Sequence, residues 1–542
     1  MREQVFHGWG EPGAGPSLPE HAGALLRSEL GVSGEVVSRP VALEDVRLAP
    51  SALPARARER LAAAAALRDD RLARVLRCRG KSYLDLLAQR AGDCGSVPDA
   101  VVAPADEAGV EAVLRACAEE EVAVVPFGGG TSVVGGLAGE RGRFSALVSL
   151  DLGRLDGLRS ADPRSLTAVL GAGTRLPKAD RALRAHGLAL GHVPQSYEWA
   201  SVGGCAATRS AGQASTGFGR IDEQVLALRL VTPGGARASS GGLAGGAPAG
   251  PTADSRVLAT RGAPAGATGP SLLQLALGSE GALGVLTQVA LRVRRLPESV
   301  HYEGWAFGSF ADGADALRGL VQDGLAPDIA RLADEEETRI SLALAGGGRL
   351  GEWLLGGRCL LVIGWEGGEA SRRAVAARLL RAGGRPLGPK PGRAWAASRF
   401  AGPHLRDDLL DRGVMVETFE TATSWSNLLA LHAAVRAALP GVHIGAHVSH
   451  LYTTGASLYY TVLAAQDRAD PAGQWRALKA AATEAILAAG GTLTHHHAVG
   501  HDHAPWLERE VGATGIALLQ ALKRECDPAG IMNPGKLLPS AA

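Results

Sequence analysis

The sequence has almost no imbalance of charge. Its 542 residues include 56 basic and 55 acidic side chains, and the formal net charge at pH 7 is +1. Proteins that bind nucleic acid or an anionic membrane through electrostatics need a basic surface, and the overall balance shows no such excess. Charge therefore gives no support to either of these two classes.

Paired cysteines and long apolar runs are also missing. The cysteines form no C-x-x-C pair, which favours reduced thiols over a disulfide framework or a zinc ribbon. They are Cys78, Cys94, Cys117, Cys205, Cys359 and Cys526. No apolar run reaches the length of a membrane span, and the opening "MREQVFHGWGEPGAG" has no apolar signal core. We therefore expect a cytoplasmic protein and leave peripheral contact with a membrane open.

What the sequence does contain is typical of a multidomain globular protein. Apolar residues make up 46% and charged residues 20%, and 542 residues exceed a single hydrophobic core. Residues 1–95 are rich in helix formers, as in "ALPARARERLAAAAALRDDRLARVLR". Residues 96–297 mix helices, short strands and glycine-rich turns, whereas residues 298–490 alternate strands with helices. The last region, 491–542, is histidine-rich and ends in turns. This pattern predicts α+β architecture, with an antiparallel sheet in residues 298–490.

Some segments predict individual elements. Asp106 can cap a helix, and "VAVVP" after that helix indicates a short buried strand. The face of this helix that we expect to be buried comprises Val110, Val113, Leu114 and Cys117. The stretch at about 238–270 is rich in Gly, Ala and Pro and predicts a mobile surface loop.

The first chemical signal is the glycine-rich turn "PFGGGTSVVGG", residues 126–136. Consecutive glycines let backbone N–H groups converge on an anion, and the hydroxyls of Thr131 and Ser132 add donors. The turn lacks the Gly-Lys-Ser/Thr ending of a P-loop and the G-x-G-x-x-G of a Rossmann fingerprint. By itself it is compatible with a phosphate site or with an ordinary turn.

Two further glycine-rich loops follow, each beside a predicted strand. "HVPQSYEWASVGGCAATRSAG" begins at residue 192, and "LGSEGALGVLT" covers residues 277–287. Three such loops in this order resemble the FAD-binding domain of the vanillyl-alcohol-oxidase family, the PCMH-type fold. The resemblance covers about residues 96–297, and "NPGKLL" near the end of the chain also fits it. It implies FAD as the cofactor, a FAD domain of two α/β subdomains, and residues 298–490 as a substrate-binding cap. The helical residues 1–95 precede these domains, and residues 491–542 return to the FAD domain.

The resemblance also implies which residues bind the cofactor. For Arg209 and Ser210 a structural role in the turn stays open, and Glu280 can instead bond backbone amides of its own turn. The first loop carries Phe127 where some relatives carry a His or Cys that bonds the flavin, so we expect non-covalent FAD. The expected cofactor-binding residues are Pro126, Phe127, Gly128, Gly129, Gly130, Thr131, Ser132, Pro194, Ser196, Ala200, Val202, Gly203, Gly204, Ala207, Thr208, Arg209, Ser210, Gly278, Glu280, Gly281, Gly284 and Val285.

The second half of the chain resembles one branch of the family, the alkyldihydroxyacetonephosphate synthases. Redox members that act on 2-hydroxy acids carry a pattern close to H-x-G-D-G-N-x-H, but this chain reads "HVSHLYTTGASLYYTV". "FHGWGEP", "RDDLLDRGVMVETFETATSW" and "HHHAVG" match the branch as well. The resemblance implies exchange of the acyl group of acyl-dihydroxyacetone phosphate for a fatty alcohol, through a flavin N5 adduct and without net redox change.

Five residues are the candidates for catalysis: Tyr459, Arg406, His495, His496 and His497. Tyr459 matches the catalytic tyrosine of the branch, and neighbouring groups can lower its pKa from about 10. Arg406 can grip a phosphate or carboxylate in bidentate fashion, and the histidine triplet can move a proton.

Structural roles compete with these catalytic ones. Tyr459 can be a core residue of its strand, in which case Tyr460 on the opposite face is the internal comparison. Arg406 can simply pair with Asp407 and Asp408.

The triplet belongs to a run of five histidines between Thr494 and His503. Adjacent residues cannot easily bind one ion together, and no carboxylate or cysteine cluster completes a ligand set. We therefore predict no metal. The remaining two, His501 and His503, are expected to be solvated loop residues.

Three hypotheses remain for the whole chain. The first is the FAD-dependent alkylglycerone-phosphate synthase-like transferase, with lipid substrates, no nucleic acid partner and a homodimer by analogy. The second is a FAD-dependent dehydrogenase or oxidase of a hydroxy acid, alcohol or phenol. The third is a flavoprotein with a repurposed cap. An apolar tunnel, a small polar pocket or an obstructed pocket would distinguish them.

Overall fold

The structure is a computed structural model and describes residues 3–19, 21–234, 257–344, 355–367 and 371–538. The described helices are α1 Ala22–Leu30, α2 Ala55–Ala64, α3 Arg71–Leu76, α4 Tyr83–Arg90, α5 Glu107–Glu119, α6 Leu176–Arg184, α7 Val202–Ala207, α8 Ser215–Phe218, α9 Ile221–Gln224, α10 Leu272–Ala276, α11 Phe310–Gln322, α12 Glu335–Leu344, α13 Arg372–Arg381, α14 Pro389–Ser398, α15 Gly402–Asp411, α16 Leu428–Ala438, α17 Pro471–Ala488 and α18 Leu507–Cys526.

The described strands alternate with these helices along the chain. They are β1 Ala66–Arg68, β2 Ala100–Ala103, β3 Val122–Phe127, β4 Ala146–Asp151, β5 Leu158–Asp162, β6 Thr167–Gly171, β7 Leu188–Ala189, β8 Val225–Val231, β9 Val257–Ala259, β10 Val285–Arg292, β11 Arg294–Arg295, β12 Val300–Phe307, β13 Ile329–Ala333, β14 Cys359–Glu366, β15 Arg385–Gly388, β16 Val414–Ser424, β17 His443–Leu451 and β18 Gly455–Ala465.

The chain forms two compact units, both discontinuous in sequence. The glycine-loop unit comprises residues 40–212, 219–296 and 496–542. The seven-stranded unit comprises residues 1–39, 213–218 and 297–495.

In the glycine-loop unit, two sheets carry the helices. The first has the order β1-β2-β4-β3, with β2 and β3 both parallel to β4. The second is antiparallel in the order β5-β6-β10-β8-β9, and β7 pairs with β11. Helices α2 and α5 pack on the first sheet, and α6 and α7 on the second, each pair closing its own apolar core. These two α/β subdomains confirm the predicted fold class of this region.

The sequence signals at α5 and β3 are confirmed. The Asp106 side chain accepts a hydrogen bond from Gly109 N–H at 2.8 Å and caps the helix. The four apolar residues predicted to share a face are fully buried, and β3 is a buried strand. The helix periodicity therefore places α5 correctly against the first sheet.

The seven-stranded unit has one antiparallel sheet in the order β15-β12-β14-β13-β17-β18-β16. Most residues of its strands β13, β14, β17 and β18 are buried, and Phe307, Leu361, Leu458 and Tyr460 are 0% exposed. This sheet confirms the antiparallel sheet predicted for residues 298–490.

The N-terminal region contains the helices that the composition predicts, α1 to α4, but it does not form a separate domain. Residues 1–39 belong to the seven-stranded unit, because Val37 N–H donates to the carbonyl of Asp411 at 2.8 Å, whereas residues 40–95 belong to the other unit. The alanine-rich segment is also broken, since β1 pairs with β2 and Asp70 then caps a new helix at Ala73.

The predicted loop at about 238–270 falls partly on residues 235–256, which lie outside the described residues. Its later part includes the short strand β9, which pairs with β8. Among the helices that the structure describes, none combines the length and apolarity needed to span a membrane.

Candidate active site

The first glycine loop follows β3 and packs tightly on the second loop. A Cβ at Gly129 would lie 2.4 Å from the carbonyl oxygen of Trp199, so only glycine fits there. Within the described residues, the backbone N–H groups of Gly130, Thr131 and Ser132 donate no hydrogen bond to protein. The loop therefore keeps backbone donors available for an anion, as expected.

The side chains at the start of this loop have internal contacts. The Phe127 ring lies against Gly130, where a Cβ would come within 2.7 Å of it, and Pro126 packs on Gly281. Gly128 faces the Ser201 hydroxyl. Pro126 and Phe127 thus shape the loop.

The second loop uses many of its own donors internally. Val202 N–H donates to Thr174 O at 2.9 Å, and Gly203 N–H donates to Ala172 O at 2.7 Å. Gly204 N–H donates to the Ser201 hydroxyl at 3.2 Å. The second loop therefore supports the first loop by packing against it. Because several of its amides already bond protein carbonyls, they contribute less to an anion site than the sequence suggests. The other predicted residues of the loop are Pro194 and Ser196 in the turn that precedes α7, Ala200 behind Gly129, and Ala207 and Thr208 at the end of α7.

Arg209 joins the second loop to the third. Its guanidinium donates to Asp222 at 3.2 Å and to the carbonyls of Leu277 and Gln274 at 3.2 and 2.8 Å. The Ser210 hydroxyl lies 3.0 Å from His192 Nε2. These contacts favour a structural role for Arg209 in the turn over direct contact with the cofactor.

The third loop turns through glycines and then enters β10. Gly281 has a φ of +73°, which a side chain would strain, and a Cβ there would lie 2.9 Å from Pro126. Gly278 N–H and Glu280 N–H donate to the carbonyls of Ala206 and Ala207 at 3.1 and 2.9 Å. Gly284 and Val285, also predicted to bind the cofactor, lie at the start of β10.

Glu280 bonds backbone amides, although not those of its own turn. Its carboxylate accepts hydrogen bonds from Val499 N–H at 2.8 Å and Gly500 N–H at 2.6 Å. Burial raises the pKa of Glu280 to about 7, while these two donors and Lys536 act in the opposite direction. Glu280 thus fixes the segment after the histidine triplet to the third glycine loop.

Two buried acceptors in the same unit were missed by the sequence analysis. Asn533 Nδ2 donates to Gly136 O at 3.2 Å and to Glu280 O at 2.8 Å, which fixes the orientation of its amide. Its Oδ1 is buried and has no hydrogen-bond partner within the described residues, and the same holds for Ser279 Oγ. The "NPGKLL" motif was the available signal for Asn533. Unused amide donors and buried orphan acceptors are what FAD requires, since it presents phosphate oxygens and ring N–H groups.

In the seven-stranded unit, Tyr459 and Tyr460 lie on opposite faces of β18. Tyr460 is 0% exposed and its hydroxyl has no partner within the described residues, whereas Tyr459 is partly exposed. Tyr459 is paired across the sheet with Glu420 on β16 and His447 on β17. The core role considered for Tyr459 therefore belongs to its neighbour.

Charged groups surround Tyr459. The His447 ring stacks on it at 5.0 Å between centroids, and His447 Nδ1 lies 2.9 Å from a carboxylate oxygen of Glu337. Burial of the Glu337 carboxyl raises its pKa, but the charges of Arg331 and His447 beside it have the larger combined effect. They lower the pKa of Glu337 to about 2.

The pKa of Tyr459 moves opposite to the predicted direction. Burial raises it to about 12, and the negative charges of Glu420, Glu417 and Glu337 add to this effect. A hydrogen bond with Thr418 opposes it. Tyr459 is therefore a neutral hydroxyl and a hydrogen-bond donor at physiological pH.

Arg406 lies in α15 with only 15% of its side chain exposed. The nearest carboxylate oxygen of Asp407 is 3.7 Å away, which is too long for a hydrogen bond. Asp407 instead accepts Trp9 N–H at 2.5 Å, and Asp408 accepts Leu18 N–H at 2.7 Å. Both acidic neighbours thus hold the N-terminal segment, while Asp407 also lies within ion-pair distance of Arg406, so the pairing role stays open beside the catalytic one.

The histidine triplet is divided between the two units. His495 is 6% exposed in the seven-stranded unit, and its Nε2 lies 2.6 Å from the Tyr452 hydroxyl. The rings of His496 and His497 meet edge-on at 4.8 Å in the glycine-loop unit. Within the seven-stranded unit, Glu420 lies beside Tyr459 and accepts His495 N–H at 2.5 Å.

The two later histidines differ from each other. His501 has 59% of its side chain exposed, in line with the predicted solvated residue. The prediction for His503 is wrong: it is 3% exposed, because its Nδ1 lies 2.8 Å from the carbonyl of Ala498 and anchors the turn.

Comparison with known proteins supports a FAD-binding role for the glycine loops and identifies relatives of the whole chain. Residues 98–239 match a family described as FAD binding domain, and residues 296–537 match FAD linked oxidases, C-terminal domain. The chain is 32% identical to an alkyldihydroxyacetonephosphate synthase of Dictyostelium discoideum, over 88% of this chain and 79% of that protein. It is also 32% identical to the protein of that name from Trypanosoma brucei brucei, over 88% of this chain and 78% of the relative.

A solved structure of an alkyldihydroxyacetonephosphate synthase superposes with a TM-score of 0.81 at 27% sequence identity, and the match covers 99% of both chains. The expectation of a FAD-dependent enzyme with a PCMH-type domain is confirmed. The chain belongs to the alkyldihydroxyacetonephosphate synthase family of FAD-dependent enzymes.

Proposed function

We propose that the protein exchanges the fatty acid of acyl-dihydroxyacetone phosphate for a fatty alcohol. The bond from C1 to the acyl oxygen breaks, a bond from C1 to the alcohol oxygen forms, and a fatty acid is released without net electron transfer. When bound, FAD supplies the nucleophile that lets this substitution proceed in two steps. The relatives named above are the first support for this proposal.

The observation that carries the proposal is the environment of Tyr459. A neutral phenol, with a pKa raised to about 12, stands beside the ring of His447 and the carboxylate of Glu420. Such a group donates a hydrogen bond and cannot easily remove a proton. Tyr459 therefore suits donation to an oxygen of the departing carboxylate, and the proton lost by the alcohol requires a different acceptor.

His495 suits the acceptor role. Imidazole exchanges a proton near neutral pH, and this ring is fixed by the Tyr452 hydroxyl on one side and by the Glu420 contact to its backbone on the other. A donor and an acceptor that are kept apart by their environments are the usual arrangement in acid–base catalysis. We assign these roles to Tyr459 and His495.

Arg406 is assigned to the anionic group of the substrate. Its guanidinium is largely buried, and Asp407 and Asp408 are engaged by the backbone of the N-terminal segment. A guanidinium can bind a phosphate or carboxylate through two parallel hydrogen bonds. The same proposal includes further expectations. These are catalytic roles for His496 and His497, non-covalent binding of FAD, a homodimer and peripheral contact with a membrane.

An anaerobic assay tests the proposal. Purified holoenzyme would be mixed with palmitoyl-dihydroxyacetone phosphate and hexadecanol without an electron acceptor, and the products would be followed by mass spectrometry. We expect hexadecyl-dihydroxyacetone phosphate and palmitic acid in equal amounts. The absence of ether product from a holoenzyme with full FAD occupancy would contradict the proposal.

The second candidate function is a FAD-linked dehydrogenase or oxidase. It is favoured by the match of residues 296–537 to the C-terminal domain of FAD linked oxidases. In that case a simple alcohol or hydroxy acid would bleach the flavin, and admitting air would produce peroxide. The same holoenzyme preparation serves both assays.

A further inference from the structure

Tyr452 occupies a rigid position in the turn between β17 and β18. Its N–H donates to Gly455 O at 2.8 Å, and its carbonyl accepts Gly455 N–H at 3.3 Å. The same carbonyl accepts the indole N–H of Trp425 at 2.9 Å. With its backbone held by three hydrogen bonds, Tyr452 can place its hydroxyl at one fixed point.

At that point the hydroxyl lies beside one ring nitrogen of His495, the first histidine of the triplet. The Tyr452 hydroxyl lies 2.6 Å from His495 Nε2. The other end of His495 is held by Glu420, whose two carboxylate oxygens accept His495 N–H at 2.5 Å and the Thr494 hydroxyl at 2.6 Å. The backbone of His495 is thus fixed by a side chain from β16, and its ring by a side chain from the turn between β17 and β18.

A second imidazole closes the remaining side of this cluster. The rings of His450 and His495 lie 5.0 Å apart, and both residues are buried. His450 Nδ1 lies 2.8 Å from Ser449 Oγ and 2.9 Å from Ser457 Oγ. The ring of His450 therefore lies beside that of His495, with its own Nδ1 held near two serine hydroxyls.

We propose that Tyr452 is the positioning residue for His495. For His495 to accept a proton from the substrate at Nδ1, the Tyr452 hydroxyl must accept Nε2–H, and the neutral ring then carries its proton on Nε2. The same hydrogen bond persists after Nδ1 is protonated, because Nε2 remains a donor in both states. This inference rests on the proposed function insofar as His495 is the proton acceptor. The other titratable side chains beside the His495 ring are Glu420, His450 and the adjacent His496.

The variant Tyr452→Phe removes only the hydroxyl. We expect kcat for ether formation to fall on the order of 10–100-fold, the size of effect seen when a group that orients a metal-binding histidine is removed, with KM for the acyl substrate little changed. The matched control is Tyr460→Phe in the same sheet, which removes a buried hydroxyl without a partner within the described residues and should leave kcat unchanged.

A spectroscopic measurement separates positioning from a purely structural role. Holoenzyme labelled with ¹⁵N-histidine would be compared with the Tyr452→Phe and His495→Asn variants, the latter to assign the His495 signals. The wild-type His495 signals should show one tautomer with the proton on Nε2, and Tyr452→Phe should give a mixture. Wild-type kcat together with an unchanged tautomer in Tyr452→Phe would overturn the inference.

Two further outcomes are kept distinct. If Tyr452→Phe loses FAD, a fluorinated tyrosine introduced at position 452 retains the volume and still perturbs the hydrogen bond. An unchanged pH profile of kcat and an unchanged tautomer in that protein would then overturn the inference. If the wild-type holoenzyme forms no ether, the proposed function fails, whereas the tautomer comparison still decides the role of Tyr452.

Discussion

Two consecutive tyrosines have different surroundings because strand residues alternate between the faces of a sheet. Tyr460 stacks on Phe419 at 5.1 Å within the core, and Tyr459 stacks on His447 among charged groups. Alternation predicts that one of the pair is buried, but it does not say which one has acidic neighbours. Those acidic neighbours are Glu417 and Glu420 on β16 and Glu337 on α12, two elements that are distant from Tyr459 in sequence.

Replacement of the Tyr459 hydroxyl tests its role directly. We expect Tyr459→Phe to lower kcat for ether formation by on the order of 10²–10⁴-fold, because a hydrogen-bond donor to the leaving group is lost. FAD occupancy, measured by absorbance, should remain at the wild-type value. Tyr460→Phe is again the control. Equal activity of the two variants would remove Tyr459 from the mechanism.

The pKa of Tyr459 also has a consequence for stability. Its folded-state pKa of about 12 exceeds the ordinary value of 10.0. The unfolded chain therefore releases this proton first as pH rises, and the contribution of Tyr459 to stability is lost between about pH 10 and pH 12. The phenol does not titrate in the range where the enzyme would be assayed.

Glu280 gives a prediction at lower pH. Its pKa of about 7 exceeds the ordinary value of 4.5, so the folded state holds this proton longer than the unfolded chain and stability falls as pH rises from 4.5 to 7. The corresponding free energy is roughly 3 kcal/mol. Chemical denaturation of the holoenzyme at pH 5 and pH 7.5 should show a smaller pH-dependent loss for Glu280→Gln. The same loss in both proteins would contradict the assigned burial of this carboxyl.

The three glycine loops show why a cofactor-binding region could be predicted from the spacing of glycines in the sequence. Each loop is local in sequence, and each follows or precedes a strand, so the region could be predicted from the chain alone. Which amides remain free could not be predicted. Those of Val202 and Gly203 are used by Thr174 and Ala172, through pairings that local sequence does not specify.

A side chain at Gly129 should disrupt the contact between the first two loops. The Cβ of Gly129→Ala would approach the carbonyl oxygen of Trp199 at 2.4 Å, and backbone must move to relieve the overlap. We expect a loss of about 1–3 kcal/mol in the free energy of unfolding and lower FAD occupancy. The control is Gly266→Ala, where a Cβ meets no atom within 4 Å. Unchanged stability and FAD content in Gly129→Ala would show that the loops do not depend on this contact.

The N-terminal segment and the last turns make contacts that could not be predicted from the sequence. The contact of Trp9 with Asp407 spans 398 positions, and that of Asn533 with Glu280 spans 253. Both segments contain motifs that the sequence analysis noted, "FHGWGEP" and "NPGKLL". Motif recognition predicted that they matter, and only the structure shows that one engages the acidic neighbours of Arg406 and the other clamps two glycine loops.

For the whole molecule, the fold class could be predicted because residues 96–297 and residues 298–490 differ in their patterns of helices, strands and glycine-rich turns. The division of the chain between the two units could not. Residues 1–39 and the short excursion 213–218 join the seven-stranded unit through backbone bonds such as Gly217 N–H to Asp328 O at 3.0 Å. Such bonds depend on three-dimensional packing and leave no periodic pattern in the sequence.

In the proposed reaction the alcohol oxygen becomes the ether oxygen at C1 without net redox change. The most direct measurement is mass spectrometry of the product formed anaerobically from palmitoyl-dihydroxyacetone phosphate and [¹⁸O]hexadecanol. We expect full retention of ¹⁸O in the ether, unlabelled palmitic acid in equal amount, and no requirement for an electron acceptor. Label-free product, or turnover that occurs only when an electron acceptor is reduced, would contradict it.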